Sequence, residues 1–123
     1  MSYLKKRILS FKHAFRGVRV LFHETPNTWI HLVAAIIVVL LGMVYRLSAG
    51  EWLALIIVIG TVFSMEAMNT ALERLSDYAS NKEIHPLVKK AKDLAAAGVL
   101  IAAIAALTVG VIIFAPKVAA LLF

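Results

Sequence analysis

Three long apolar runs follow one another along the chain and are separated by short polar segments. The first run holds only two basic side chains, His31 and Arg46, and the last is uncharged throughout. A helix of about 20 such residues crosses a hydrocarbon core of roughly 30 Å. The middle run reaches this length only if its helix continues through Glu66 to Glu73. The pattern predicts three membrane-spanning helices, at residues 28–47, 52–73 and 94–116.

The segment before the first span, residues 1–24, has a different periodicity. Its apolar residues recur at steps of three and four, as in an amphipathic helix, and basic residues occupy many of the other positions. The apolar positions are Leu4, Ile8, Phe11, Phe15, Val18 and Phe22. A helix of this type is expected to lie along a membrane surface. The segment has no apolar core or cleavage site typical of a signal peptide, so we expect the mature chain to keep it.

The composition indicates a membrane protein with one domain. Hydrophobic residues make up 62% of the 123 residues and charged residues 16%, whereas soluble domains have about 45–50% and about 25%. The absence of cysteine excludes disulfides, thiolate metal sites and cysteine nucleophiles. The expected fold class is therefore an all-α membrane protein whose single domain covers residues 1–123.

Positive charge is concentrated in two places. Of the 13 Lys and Arg residues, all but Arg46 and Lys117 lie before residue 20 or between Arg74 and Lys92. Both segments are expected in the cytoplasm, because basic residues collect on that side of membrane proteins. The basic residues flank apolar spans, so the net charge of +6 indicates anionic head groups and nucleotide phosphates as partners. We expect no binding to nucleic acid.

The end of the middle span carries a group that we call the acidic stripe: Glu66, Asn69, Glu73 and Asp77. Their spacings of three, four and four residues place them on one side of a helix. Carboxylates are costly in the hydrocarbon region, so the stripe is expected to face protein, water or a cation. In one interpretation, Glu73 and Asp77 are simply a solvated surface. In the other, the stripe binds Mg²⁺, which shares its remaining positions with water and phosphates.

A basic segment precedes the third span and complements the stripe in charge. Lys89, Lys90 and Lys92 are followed by Asp93, and Pro86 suits the first turn of the helix. The lysines either anchor the chain at the cytoplasmic side or bind phosphate, and spacing alone leaves both interpretations open. The Ala and Gly residues after Asp93 predict close helix packing. Soluble nucleotide-binding folds are unsupported, because the sequence has no GxxxxGK[ST] or GxGxxG motif.

The sequence E-A-M-N-T-A-L-E at 66–73, with H-P-L at 85–87 and A-K-D at 91–93, resembles the bacterial diacylglycerol kinase and undecaprenol kinase family. The resemblance extends over nearly the whole chain. It implies a homotrimer in the bacterial inner membrane, with active sites shared between subunits at the cytoplasmic face. It also implies transfer of phosphate from ATP, with Mg²⁺, to the hydroxyl of a membrane lipid.

The resemblance also implies roles for individual residues. Glu66 corresponds to the catalytic base, Asn69 to a polar residue that positions the base or the acceptor hydroxyl, and Glu73 to a Mg²⁺ ligand. Glu24 is the candidate for a second metal ligand, although it lies one place before the expected position, where Thr25 stands. The residues implied in nucleotide binding are Glu73, Asp77, Glu83, Ile84, His85, Lys92 and Asp93.

Two lipid acceptors are compatible with the resemblance. The H-P-L sequence and the Ala-rich turn after Asp93 are more similar to undecaprenol kinases, so undecaprenol is the expected acceptor and diacylglycerol the alternative. A small proton-coupled transporter is a more distant alternative. Such a protein is expected to have four spans and a carboxylate deep in the first, whereas the span 28–47 contains no carboxylate.

Overall fold

The computed structural model describes residues 2–123, which form four helices joined by short connections. The helices are α1 Tyr3–Glu24, α2 Pro26–Val44, α3 Ala49–Ala79 and α4 Pro86–Leu122. Helices α2, α3 and α4 are long and apolar enough to cross a membrane. The predicted all-α architecture with three candidate spans is therefore confirmed.

Ser2 caps the start of helix α1, and its hydroxyl accepts a hydrogen bond from the Lys5 N–H at 3.3 Å. Apolar side chains along most of α1 are exposed, and within this helix only Leu21 is buried. At its last turn, the Phe22 carbonyl accepts from the indole N–H of Trp29 at 2.8 Å, and the two rings meet edge to face. Helix α1 is therefore attached through its C-terminal end, and its orientation along a membrane surface stays a prediction.

Helix α2 ends at Val44, before the predicted limit at Leu47. The Leu47 N–H donates to the Gly42 carbonyl at 3.2 Å, and the Arg46 N–H to the Met43 carbonyl at 3.4 Å. These two bonds form a Schellman termination, which requires the left-handed conformation that Arg46 adopts with φ 52°. The chain reversal places Leu47 in the apolar core.

Helix α3 begins with a capping box directly after this turn. The Ser48 hydroxyl accepts from the Glu51 N–H at 3.2 Å, and the Glu51 carboxylate accepts from the Ser48 N–H at 3.0 Å. From Ala49 the helix continues without a break to Ala79 and includes every residue of the acidic stripe. The prediction that the middle apolar run continues into a polar helical end is confirmed.

Helices α3 and α4 form the largest packing interface. The core lies beside the N-terminal half of α3, where the buried apolar residues are Leu47, Leu55 and Ile113. Beside the C-terminal half, small residues of α4 allow close approach: Ala95 and Ala102 are buried, and Met65 lies over Gly98. This packing agrees with the predicted small-residue surface.

Helix α4 extends beyond the predicted span 94–116 at both ends. Pro86 occupies its first turn, where a missing N–H breaks no helical hydrogen bond. At the other end the helix continues through Pro116, and Lys117 pairs with Glu51 at 2.8 Å. This ion pair joins α3 and α4 at the end opposite to the acidic stripe.

Candidate functional site

The first acid of the stripe, Glu66, is buried among the helices, with only 3% of its side chain exposed. A carboxylate at this depth requires a hydrogen-bond donor. That partner is His31 in the second turn of α2, whose Nε2 lies 3.0 Å from Glu66 Oε1. The contact connects the start of α2 to the middle of α3.

A cavity of about 450 Å³ with a mixed polar and apolar lining lies beside this carboxylate, and we call it the Glu66 pocket. Its polar lining residues come from α2 and α3, and Ile30 of α2 and apolar side chains between 96 and 103 of α4 complete it. The polar lining residues are Asn27, His31, Glu66, Asn69 and Glu73. Three residues predicted from the sequence, Glu66, Asn69 and Glu73, therefore share one cavity.

Asn69 is hydrogen-bonded to Glu73, one turn further along α3. Its Nδ2 donates to Glu73 Oε1 at 3.3 Å. Its Oδ1 is buried and has no hydrogen-bond partner within residues 2–123. A buried acceptor without a partner lowers the stability of the fold. This oxygen is therefore a candidate to accept a hydrogen bond from a ligand hydroxyl or to bind a cation.

The last acid of the stripe, Asp77, pairs with α4. Lys92 Nζ donates to Asp77 Oδ1 across the interface between the two helices. This hydrogen bond holds the pKa of Asp77 below its ordinary value of 3.8. Each side chain is 38% exposed, so the pair lies at the surface of the bundle. The predicted phosphate-binding lysine is thus connected to the acidic stripe.

Asp93 pairs within α4 with Lys89, one turn earlier. Lys89 Nζ donates to Asp93 Oδ2 at 2.8 Å, and this hydrogen bond raises the pKa of Lys89 above its ordinary value of 10.5. Both side chains are largely exposed. Lys92 and Asp93, although adjacent in sequence, therefore have different partners.

Three further residues implied in nucleotide binding lie on the connection between α3 and α4. Glu83, Ile84 and His85 are all exposed. His85 also caps α4, because its Nδ1 accepts from the Leu87 N–H at 3.2 Å. This connection is therefore accessible to a ligand at the polar end of α3.

Glu24, the candidate second metal ligand, is the last residue of α1. Its Oε2 lies 3.8 Å from Nη2 of Arg74. Arg74 directly follows Glu73 on α3. The next residue, Thr25, shares a hydrogen bond of 2.9 Å between hydroxyls with Thr70 of α3. The junction of α1 and α2 is therefore attached to the part of α3 that carries the stripe.

The described residues contain no group of three or more His, Asp or Glu side chains that could hold a metal ion. Glu73 and Asn69 nevertheless offer the oxygen atoms that Mg²⁺ prefers, since this ion binds through one or two carboxylates together with water and phosphate. The unpaired Oδ1 of Asn69 is the feature that fits such an ion. Among the described residues, Glu73 and Asn69 are therefore the pair whose oxygen atoms match the ligands that Mg²⁺ prefers.

A second cavity, of about 610 Å³, adjoins the Glu66 pocket, and we call it the apolar cleft. It extends between α2, α3 and α4, and apart from His31 the lining that the structure describes is apolar. His31 and Ala103 line both cavities. The two cavities therefore meet beside His31, the residue that contacts the buried carboxylate.

Two polar residues of the Glu66 pocket had no role in the sequence-based hypothesis. His31 carried a usable signal, because an ionisable side chain inside a predicted span is by default a functional candidate. Asn27 carried no such signal in the sequence, because polar residues are common at the start of helices. Its place in the pocket follows only from how α2 packs against α3.

Known proteins are similar to this chain over most of its length. The profile of the family described as prokaryotic diacylglycerol kinase matches residues 12–114. The chain is 39% identical over 114 residues to an undecaprenol kinase of Bacillus subtilis, covering 93% of this chain and 92% of that protein. It is 35% identical over 115 residues to a diacylglycerol kinase of a Synechocystis species, covering 94% of this chain and 66% of that protein. No solved structure shows a significant match.

The chain belongs to the prokaryotic diacylglycerol kinase family and is therefore an alcohol phosphotransferase.

Proposed function

We propose that the chain transfers the γ-phosphate of Mg·ATP to the hydroxyl of a membrane lipid, with undecaprenol as the acceptor. The observation that carries this proposal is a buried carboxylate, Glu66, in a pocket that contains further polar side chains and adjoins an apolar cleft. A lipid alcohol matches these two cavities, because it joins one hydroxyl, for the pocket, to a long hydrocarbon chain, for the cleft. The family and both relatives support the same class of reaction.

Glu66 is the proposed general base. Its carboxylate accepts the hydroxyl proton while the lipid oxygen forms a bond to the γ-phosphorus and the bond from that phosphorus to the bridging oxygen of ATP breaks, releasing ADP. Glu66 then returns the proton to solvent. The burial of Glu66 supports this role, because a water-poor site favours the lipid hydroxyl over water as the acceptor.

Glu73 and Asn69 are the residues proposed to hold Mg²⁺, with Glu24 as the second carboxylate. When bound, this ion neutralises charge on the phosphates. Asn69 holds Glu73 in place through its 3.3 Å hydrogen bond, and its unpaired Oδ1 remains available to the ion or to the lipid hydroxyl. Glu24 Oε2 lies 3.8 Å from Arg74 Nη2, so the guanidinium competes with a metal ion for this carboxylate.

The nucleotide is proposed to bind at the C-terminal end of α3. Lys92 provides a point charge for its phosphates, and the ion pair with Asp77 orients that lysine. Asp93 and the exposed connection at 83–85 are the candidates for contacts with the rest of the nucleotide. The surrounding lysines favour the cytoplasmic face of the bacterial inner membrane for this end of the molecule.

The active assembly is proposed to be a homotrimer with shared sites. Within α2, only Thr28 and Gly42 are buried, so most of its apolar surface is available to lipid or to another copy. Ligands from a neighbouring copy would complete the magnesium site that the described part of one chain supplies only partly. Helix α1, with its exposed apolar residues, is proposed to lie along the membrane surface.

Diacylglycerol is the second candidate acceptor, because one relative carries the name diacylglycerol kinase. The test measures transfer of labelled phosphate from Mg·ATP by the purified chain to each lipid alcohol in mixed micelles. We expect a higher kcat/KM for undecaprenol. The reverse order would assign diacylglycerol as the acceptor, and transfer to neither lipid would contradict the proposal.

A further inference from the structure

We infer that His31 is a positioning residue for phosphate transfer and acts through Glu66, an inference that rests on the function proposed above. His31 Nε2 lies 3.0 Å from Glu66 Oε1. In the part of the chain that the structure describes, Glu66 makes no other side-chain hydrogen bond or ion pair. The orientation of the proposed base therefore depends on one side chain from a different helix.

The imidazole of His31 is itself held in place. Its ring meets the ring of Phe63 edge-on, with centroids 6.4 Å apart, and Phe63 lies one turn before Glu66 on α3. Phe63 also contacts Phe22 of α1, with ring centroids 6.1 Å apart. Only 23% of the His31 side chain is exposed. The aromatic contact on one side and the carboxylate on the other restrict the ring, which directs Nε2 at Glu66.

The hydrogen bond gives different tasks to the two carboxylate oxygens. With its proton on Nε2, His31 donates to Glu66 Oε1, and Oε2 remains to accept the proton of the lipid hydroxyl. The hydroxyl proton moves to Oε2 of Glu66. His31 keeps its own proton, so the protonation state of the imidazole does not change. A carboxylate fixed in this way meets the hydroxyl in one orientation, as a general base requires.

The position of His31 between the two cavities supports the same role. His31 lines both the Glu66 pocket and the apolar cleft. Among the described residues, the cleft has no other titratable side chain in its lining. A lipid whose chain lies in the cleft therefore brings its hydroxyl past the imidazole to reach Glu66.

The test compares His31→Gln with His31→Asn, two uncharged amides that differ by one methylene. The Gln amide can extend to the position of Nε2 and donate to Glu66, whereas the Asn amide is too short. We expect His31→Asn to lower kcat for lipid phosphorylation about 10- to 100-fold with little change in KM for ATP, the range for a hydrogen bond to a charged group. His31→Gln should retain most of kcat. Val33→Leu, which lies on α2 outside both cavities, is the control for helix packing.

A double variant separates positioning from a general structural role. Adding His31→Asn to Glu66→Gln should cause no further loss beyond that of Glu66→Gln, because His31 acts only through the carboxylate. Circular dichroism and the elution volume in detergent report whether each variant is folded. If His31→Asn does not fold, His31→Leu takes its place, with the same expected loss of kcat.

The outcomes distinguish this inference from the proposed function. Full kcat in His31→Asn, or additive losses in the double variant, would overturn the role of His31 while the wild-type chain still phosphorylates lipid. Transfer to neither lipid alcohol by the wild-type chain would overturn the proposed function, and the role of His31 with it. A selective loss of kcat in His31→Asn that His31→Gln rescues would support both.

Discussion

The two halves of α3 differ in how completely their polar groups are paired. In the N-terminal half, apolar side chains pack into the core, and the one charged residue, Glu51, pairs with Lys117 at 2.8 Å. In the C-terminal half, Glu66 is buried beside a cavity and Asn69 keeps an unpaired buried oxygen. Buried polar groups without a full set of partners are costly for stability and are typical of functional sites. The contrast supports the proposal that the second half of α3 holds the chemistry, while the first half stabilises the fold.

The largest effect is expected for Glu66→Gln, which keeps the shape of the side chain and removes its capacity to take a proton. A positioned general base contributes about 10²–10⁴-fold, so kcat for lipid phosphorylation should fall by that amount. The control is Glu51→Gln in the other half of α3, which should leave kcat unchanged. Turnover above about a tenth of the wild-type value in Glu66→Gln would contradict the base assignment.

A smaller effect is expected for Glu73→Ala, which removes the proposed metal ligand in the same half of the helix. The Mg²⁺ concentration needed for half-maximal activity should rise at least about tenfold, because changes at a metal site typically cost 10- to 100-fold in affinity. A magnesium titration of the phosphorylation rate measures this directly. An unchanged titration curve would remove Glu73 from the metal site.

Crowding of the side chains packed against the N-terminal half of α3, for example at Gly42 of the adjacent helix α2, should instead affect stability. A Cβ at Gly42 would lie 2.6 Å from the Trp52 ring and 2.9 Å from Leu47, so Gly42→Ala forces these side chains to move. Overpacking of this kind costs about 1–3 kcal/mol and should lower Tm, with kcat per folded molecule unchanged. Gly60→Ala is the matched control, since no heavy atom lies within 4 Å of its added Cβ. Equal Tm values for the two variants would contradict the tight packing at Gly42.

The smallest effect is expected from the exposed pair of Asp77 and Lys92. The pKa of Asp77 is held below its ordinary value of 3.8, so the pair stabilises the fold above that pH and loses this contribution as pH falls through the lowered pKa. The Tm difference between wild type and Asp77→Asn should therefore be greatest near neutral pH and disappear in acid. A difference that persists in acid would show that Asp77 stabilises the fold in another way.

The architecture could be predicted from the sequence because the bilayer fixes the length of an apolar helix. The length that the middle span needs also required its helix to continue past Glu66, and it does. The end of α2 was less predictable. It depends on Arg46 adopting a left-handed conformation usually taken by glycine, and no glycine marks that position.

The site could be predicted only as far as one helix determines it. Glu66, Asn69 and Glu73 share a face of α3 because of their spacing, and the structure brings them into one pocket. Their partners depend on packing between helices. No spacing rule indicates that His31 of α2 meets Glu66, or that Lys92 pairs with Asp77 and not with its neighbour Asp93.

The most direct test of the central claim measures ADP release by the purified wild-type chain in detergent with Mg·ATP, with and without a lipid alcohol. The account predicts that ADP release depends on undecaprenol or diacylglycerol and equals the amount of lipid phosphate formed. ADP release that neither lipid alcohol stimulates would contradict the proposal that this chain phosphorylates a lipid alcohol.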